Sequence, residues 1–243
     1  MDARAAIVTG ASSGIGLAVA RMLGEQGYAV TLAGRRPDKL DAAYEQLRGD
    51  GLDVQPIVAD VGDEDDVVRC VAAHREAYGR LDVLVNNAGV GIGESIGELR
   101  TKALDIQLAT NLRSIMLFYR ESLAMLTAAA AEHRNALVVN TASIAGKQGQ
   151  AWLSVYSATK SGVVGFTQAM NRELGGLGIK STALCPGFVD TPMTDFVKER
   201  VPPEAMIQTS DVVASVRMLL ALTPGCVIGE IIFERPAGDG SLG

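Results

Sequence analysis

Apolar residues along this chain fall into two alternating patterns. Short, nearly continuous apolar runs occur at Ala5–Thr9 (AAIVT), 29–33 (AVTLA), Val54–Val58, 83–85, 137–140, 179–184 and 227–233. Runs this short, rich in Val, Ile and Ala and flanked by Gly, Pro or Asn, predict strands buried on both faces. Longer stretches between them carry apolar residues three and four apart. Ile15, Val19, Met22 and Leu23 mark one helix, with Gly27 just past its end. Pro37 opens a second through Leu40, Tyr44 and Leu47, closed by 49–51. Further helices are predicted over 67–78, over 101–131 with internal breaks, over Ser154–Leu174 and over 211–222 with an Asp at the start. The acidic run 63–66 resembles a metal cluster but reads as the first turn of the 67–78 helix, where carboxylates complement the macrodipole.

Strands alternating with helices predict a parallel sheet with helices on both faces. Right-handed crossovers make it doubly wound. The expected fold is therefore α/β, a Rossmann-type sheet of seven strands formed by one domain over 1–243. In such sheets ligands bind outside the carboxyl ends of the strands, at the topological switch point. Motifs that directly follow strands carry the most weight.

Composition narrows the classes. With 243 residues, 48% apolar and 21% charged, the chain is globular. A net charge of −6 argues against nucleic acid or an anionic membrane as partner. No signal-peptide layout precedes the first strand, and no apolar run approaches the ~18 residues of a membrane helix. Cys70, Cys185 and Cys226 are odd in number and lack a CxxC pattern, so they read as reduced thiols of a cytoplasmic protein; no metal is called for.

The first strand runs into Thr9-Gly10-Ala11-Ser12-Ser13-Gly14-Ile15-Gly16. Gly10 permits a tight turn, Gly14 lets backbone approach a pyrophosphate, and Gly16 lets helix and strand pack closely. The helix that follows points its positive end at the phosphates. The second strand ends Ala33-Gly34-Arg35-Arg36-Pro37, with no acid in place to hold a ribose 2′-hydroxyl. Asp38 lies beyond Pro37 and reads as a helix cap. Arg35 can hold a 2′-phosphate, with Arg36 stacking on adenine or assisting, which favours NADP(H) over NAD(H). Tyr156-Ser157-Ala158-Thr159-Lys160 places Tyr156 and Lys160 on one helix face. A lysine ammonium there is expected to lower the phenol pKa from about 10 toward neutrality. Ser143 follows the fifth strand at the ligand edge and can hold a carbonyl oxygen. His74 and His133 lie in polar helical surroundings and are expected at the surface. Trp152, just ahead of Tyr156, stands either beside the substrate or in ordinary packing.

Together these residues resemble the short-chain dehydrogenase/reductase family, in its short single-domain branch and nearest to 3-oxoacyl-carrier-protein reductases. The resemblance spans essentially the whole chain. Its further marks are the N-N-A-G segment 86–89, the Asp60–Val61 pair on the adenine side and the P-G-x-V-x-T segment 186–191. It implies a catalytic set of Asn111, Ser143, Tyr156 and Lys160. Hydride passes between nicotinamide and a carbonyl or secondary alcohol. Tyr156 moves the proton, Ser143 polarises the oxygen, Lys160 holds the ribose, and Asn111 supports a water relay. The implied cofactor contacts are Gly10, Ser12, Ser13, Gly14, Ile15 and Gly16 in the loop. Arg35, Arg36, Asp60 and Val61 flank the adenosine. Asn87, Ala88 and Gly89, Pro186, Gly187, Val189 and Thr191 line the nicotinamide side, with Tyr156 and Lys160.

The resemblance makes 188–207 the substrate loop, and its apolar content points to a partly hydrophobic small-molecule carbonyl or alcohol. The tail after Phe233 lacks the G-G pattern of the 3-oxoacyl-carrier-protein reductases, which leaves ketones, sugars and steroid-like alcohols open. A homodimer or homotetramer is implied, pairing helices near 101–131 and 154–174. The competing readings are a non-catalytic nucleotide sensor on the same fold, an NAD(H)-dependent alcohol dehydrogenase, and an epimerase or lyase of the longer branch, for which the length leaves no separate substrate domain.

Overall fold

Continuous apolar runs pair side by side because only a sheet covered on both faces hides them while satisfying their backbone. A computed structural model describes residues 4–236. Among these, β1 (Ala5–Thr9), β2 (Ala29–Gly34), β3 (Val54–Val58), β4 (Val83–Asn86), β5 (Ala136–Thr141), β6 (Ile179–Pro186) and β7 (Glu230–Phe233) form one sheet. Its order is β3-β2-β1-β4-β5-β6-β7, with every neighbouring pair parallel. All residues of β1, β2, β4 and β6 are buried, whereas the edge strands β3 and β7 are only partly so. Pro56, which cannot donate to a ladder, sits on edge strand β3.

Helices cover both faces. Apolar stripes of α1 (Gly14–Glu25), α2 (Pro37–Gly49) and α7 (Thr209–Ala221) pack on one face through Val19, Leu23, Leu40, Leu47, Val212 and Val216. On the other face lie α3 (Glu64–Tyr78), α5 (Ser114–His133) and α6 (Ser154–Leu174), through Val67, Val71, Phe118, Leu126 and Val163. The chain reverses winding between β1 and β4, so the loops after these two strands flank the switch-point crevice.

Several boundaries differ from the sequence reading. The stretch 101–131 is α4 (Thr101–Leu108), a π turn at Ala109–Arg113, then α5. The last helix begins at Thr209, with Asp211 inside its first turn accepting from the Gln208 N–H at 2.8 Å. In the acidic run, Asp63 caps α3 by accepting from Asp65 N and Asp66 N. The last strand starts at Glu230 rather than 227. Ahead of it, the Ile228 and Gly229 carbonyls already accept from the Thr182 hydroxyl and the Ala183 N–H of β6.

Both histidines correct the surface expectation. His74 is fully buried. Its Nε2 donates to the Arg80 carbonyl at 2.8 Å, which leaves Nδ1 to accept from the Thr31 hydroxyl at 2.7 Å. A carbonyl can only accept, so the tautomer follows. Burial pushes the His74 pKa down to about 4. His133 is half-buried and bonds the buried Asp82 through Nε2 at 2.9 Å. Cys70 and Cys185 are buried and Cys226 partly so, and no disulfide joins them. Among the described residues no helix is long and apolar enough to cross a membrane.

Candidate active site

The crevice is walled by backbone before any side chain enters. Gly10 and Gly14 take positive φ values of 64° and 55°, which glycine adopts without strain. A Cβ on Gly10 would lie 2.9 Å from Ala88 Cα, and one on Gly14 would lie 3.0 Å from Thr191 Cγ2. A Cβ on Gly16 would overlap the Gly10 carbonyl. The loop after β1 therefore touches the segment after β4 on one side and the segment after β6 on the other. Ser12, Ser13 and Ile15 complete this loop at the start of α1, half-buried at the cleft. Bare glycine backbone at a helix start suits the close approach of a pyrophosphate.

Thr9, which the sequence reading left without a role, ties the two central loops together. Its hydroxyl accepts from Asn87 N at 2.9 Å and Ala88 N at 3.0 Å. The Asn87 amide returns a bond to the Thr9 carbonyl at 3.2 Å. The available signal was a hydroxyl residue at the last position of a wholly apolar strand. On the adenosine side, Arg35 follows the end of β2 with its side chain 62% exposed, 3.8 Å from the Asp60 carboxylate. Ser12 packs against Gly34, and Val61 is buried. Arg36 is exposed at the N-terminus of α2.

At the far end of the crevice lie Asn111, Ser143, Tyr156 and Lys160, the four residues expected to be catalytic. Asn111 sits in the π turn, buried. Its amide donates to the Val90 carbonyl and its oxygen accepts from Val90 N, both at 2.8 Å, and it also donates to Thr159 Oγ1 at 3.2 Å. These bonds hold the 89–90 loop against α6. Gly89 completes the contact: a Cβ there would lie 3.4 Å from Asn111 Oδ1 and 3.5 Å from Lys160 Nζ. Lys160 is buried on α6 and donates to the Thr141 carbonyl at 2.7 Å. Ser143 follows β5 and accepts from Ala145 N at 3.1 Å. Pro186 ends β6, and Gly187, Val189 and Thr191 follow it, where Val189 is buried and paired with Ile207.

One electrostatic expectation changes. The net shift of Tyr156 is upward, because burial favours the neutral phenol and outweighs the opposing hydrogen bond with Ser143. Lys160 Nζ lies 5.6 Å from the Tyr156 ring centroid, and its proton is directed at Thr141 rather than at the phenol. Burial draws Lys160 down to about 8. Both effects favour a neutral Tyr156 hydroxyl, with Ser143 beside it.

The apolar side chains of 188–207 divide between packed and exposed. Val197, Val201 and Met206 form a small core of their own with Phe188. Of its apolar side chains, Met193 and Phe196 stay exposed, at 53% and 65%. Phe188, Val197, Val201 and Met206 therefore fold the loop itself, and Val189 and Ile207 join the main core. The tail signature after Phe233 falls mostly on residues 237–243, outside the described residues.

A glycine loop at the switch point, with a half-buried Tyr156, a buried Lys160 and a serine at its end, is the arrangement of a dinucleotide-binding protein. The family model for short chain dehydrogenase matches residues 4–202, and the chain belongs to that family. Among its curated relatives is a protein of Streptomyces virginiae named as a ketoacyl reductase of the monensin polyketide synthase. It is 45% identical over 197 residues, 81% of this chain and 74% of the relative. The 3-oxoacyl-acyl-carrier-protein reductase of Staphylococcus aureus is 34% identical over 207 residues, covering 84% of this chain and 82% of the relative. Among solved structures, a variant of the actinorhodin polyketide ketoreductase with NADPH superposes with a TM-score of 0.87 at 34% identity, covering 96% of this chain and 97% of that one.

Proposed function

We propose that this chain is an NADP(H)-dependent ketoreductase in which Tyr156 supplies the proton. The carrying observation is the convergence of Ser143, Tyr156, Lys160 and Asn111 at the nicotinamide end of a crevice whose other end holds Arg35. The glycine loop fits a dinucleotide, since it presents bare backbone at the start of α1, and a Cβ at Gly10 or Gly16 would push apart the packed backbone that shapes it. The bound cofactor supplies the hydride, and every other task falls to the chain's own groups.

Burial keeps the Tyr156 hydroxyl protonated, ready to donate as negative charge develops on the carbonyl oxygen. Ser143 donates to the same oxygen and orients it. Lys160, whose ammonium donates to the Thr141 carbonyl, would hold the ribose hydroxyls of a bound cofactor. The Asn111 side chain is spent on Val90 and Thr159, so its part is to fix the 89–90 wall; any water relay there has to use its main chain. Gly14 would face the cofactor's pyrophosphate, Val189 and Thr191 its carboxamide, and Asp60 and Val61 its adenine. Arg35 and Ser12 take the 2′-phosphate, with Arg36 alongside.

The named relatives put keto-acyl compounds first in a substrate screen, ahead of simple ketones. The reading also comprises one domain, cytoplasmic location and a homo-oligomer. Met116 and Leu123, seven residues apart and therefore on one face of α5, are 41% and 36% exposed, which supports a helix face shared between subunits.

Tyr156→Phe is the deciding variant. Loss of the proton donor should lower kcat for NADPH-driven ketone reduction by at least about 100-fold. NADPH affinity, read by nicotinamide fluorescence, should stay within threefold of wild type, roughly the scatter of a lost surface contact. Wild-type rates in the variant would remove Tyr156 from the chemistry. Absence of any turnover in the wild type, with NADPH still bound, would favour the nucleotide-sensor reading.

A further inference from the structure

Trp152 is strained, exposed and anchored. Its φ of 66° lies in the left-handed region, which a bulky side chain rarely enters. Such a conformation persists where the surroundings over-determine it. Here the Trp152 carbonyl accepts from Glu94 N at 2.9 Å. Glu94 is in turn held by Arg100, whose main-chain N and Nε donate to its carboxylate at 2.9 Å and 2.6 Å. The indole ring lies directly on Gly93, where any Cβ would overlap it. Two residues earlier, a Cβ on Gly91 would lie 3.8 Å from the edge of the Tyr156 ring. The strip 91–93 thus offers bare backbone to two rings in succession, Tyr156 and then Trp152.

Ordinary packing does not account for this ring, since Trp152 remains 58% exposed. An aromatic ring so held, seated next to the proton donor with much of its surface in solvent, is a ready stacking partner. We propose that Trp152 is a specificity-determining residue, a platform on which the flat or apolar part of a carbonyl substrate lies while its carbonyl reaches Tyr156. The inference deepens the ketoreductase reading and rests on it.

Benzylacetone and butanone differ by a phenyl ring, and together they test the platform. Trp152→Gly removes the indole while glycine keeps the left-handed backbone. It should lower the ratio of kcat/KM for benzylacetone over butanone by about tenfold, the stacking contribution of one ring, mainly through KM. Trp152→Phe should recover most of that ratio, and Gly93→Ala, whose methyl displaces the ring, should lower it. A ratio unaltered in Trp152→Gly overturns the proposal. The chain has one tryptophan, so its emission reports this site alone. Benzylacetone titrated into the wild-type protein with NADP+ should quench that emission saturably. If the wild type reduces neither ketone, the emission titration decides the platform by itself: saturable quenching supports it, and no change overturns it; the ketoreductase reading fails only if keto-acyl thioesters are left unreduced as well.

Discussion

Single side chains in this protein are set by partners far away in sequence. Arg35 lies one residue past the end of β2, exposed and in a long ion pair with Asp60 at 3.8 Å, which a 2′-phosphate would replace in the proposed complex. Arg35→Ala should weaken NADPH binding by about 10- to 100-fold, the contribution of one charge-assisted hydrogen bond, with little change for NADH. Paired titrations with both nucleotides check this, and equal losses would exclude a 2′-phosphate contact. His74 has the opposite character, a neutral imidazole locked between Thr31 and Arg80. Its pKa is about 6.5 unfolded and about 4 folded, so between those values the unfolded chain binds the extra proton. The stability linked to His74 is complete above pH 6.5 and is lost as pH falls toward 4. Urea midpoints measured across this window should decline with acidification, and His74→Gln should flatten the decline. The helical spacing of Val67, Cys70, Val71 and His74 already placed the imidazole on the buried stripe. Residue type alone concealed it.

At the scale of elements, the unusual feature is the π turn between α4 and α5. It brings the Asn111 side chain onto both polar groups of Val90, so one residue stitches three segments: the loop after β4, the broken helix and α6. Asn111→Ala would leave the Val90 N–H and carbonyl without partners, at a cost of about 1–3 kcal/mol. The expected result is a lower thermal midpoint together with weaker NADPH binding, since Gly89 loses its support. An unchanged midpoint would show that the loop holds its place without Asn111. The sequence pattern located the long helical stretch and its breaks in general terms. It held no signal for the width of the turn, because that width answers to the fit of α6 against the loop.

For the whole molecule, one sheet separates two apolar cores. Tyr28 belongs to one core and Tyr119 to the other. Both cores share every central strand, so neither survives without the sheet. Unfolding should be one transition, with far-ultraviolet and near-ultraviolet circular dichroism giving the same midpoint; two separated steps would contradict the single domain. If subunits pair through the α5 face, the midpoint should rise with protein concentration, and mass in solution should exceed that of one chain.

The sequence by itself determined the α/β alternation, the glycine loop, the spacing of Tyr156 and Lys160, and the acid-free end of β2. These are local signals: periodicity, turn residues and i,i+4 spacing are written within a few positions of one another. Only the tertiary structure decided that Thr9 binds the 87–88 backbone, that Thr191 closes on Gly14, that burial raises the Tyr156 pKa, and that Val197, Val201 and Met206 of the loop after Pro186 pack on Phe188. Each of those depends on which crossovers bring distant segments together, and on how much water they exclude when they meet.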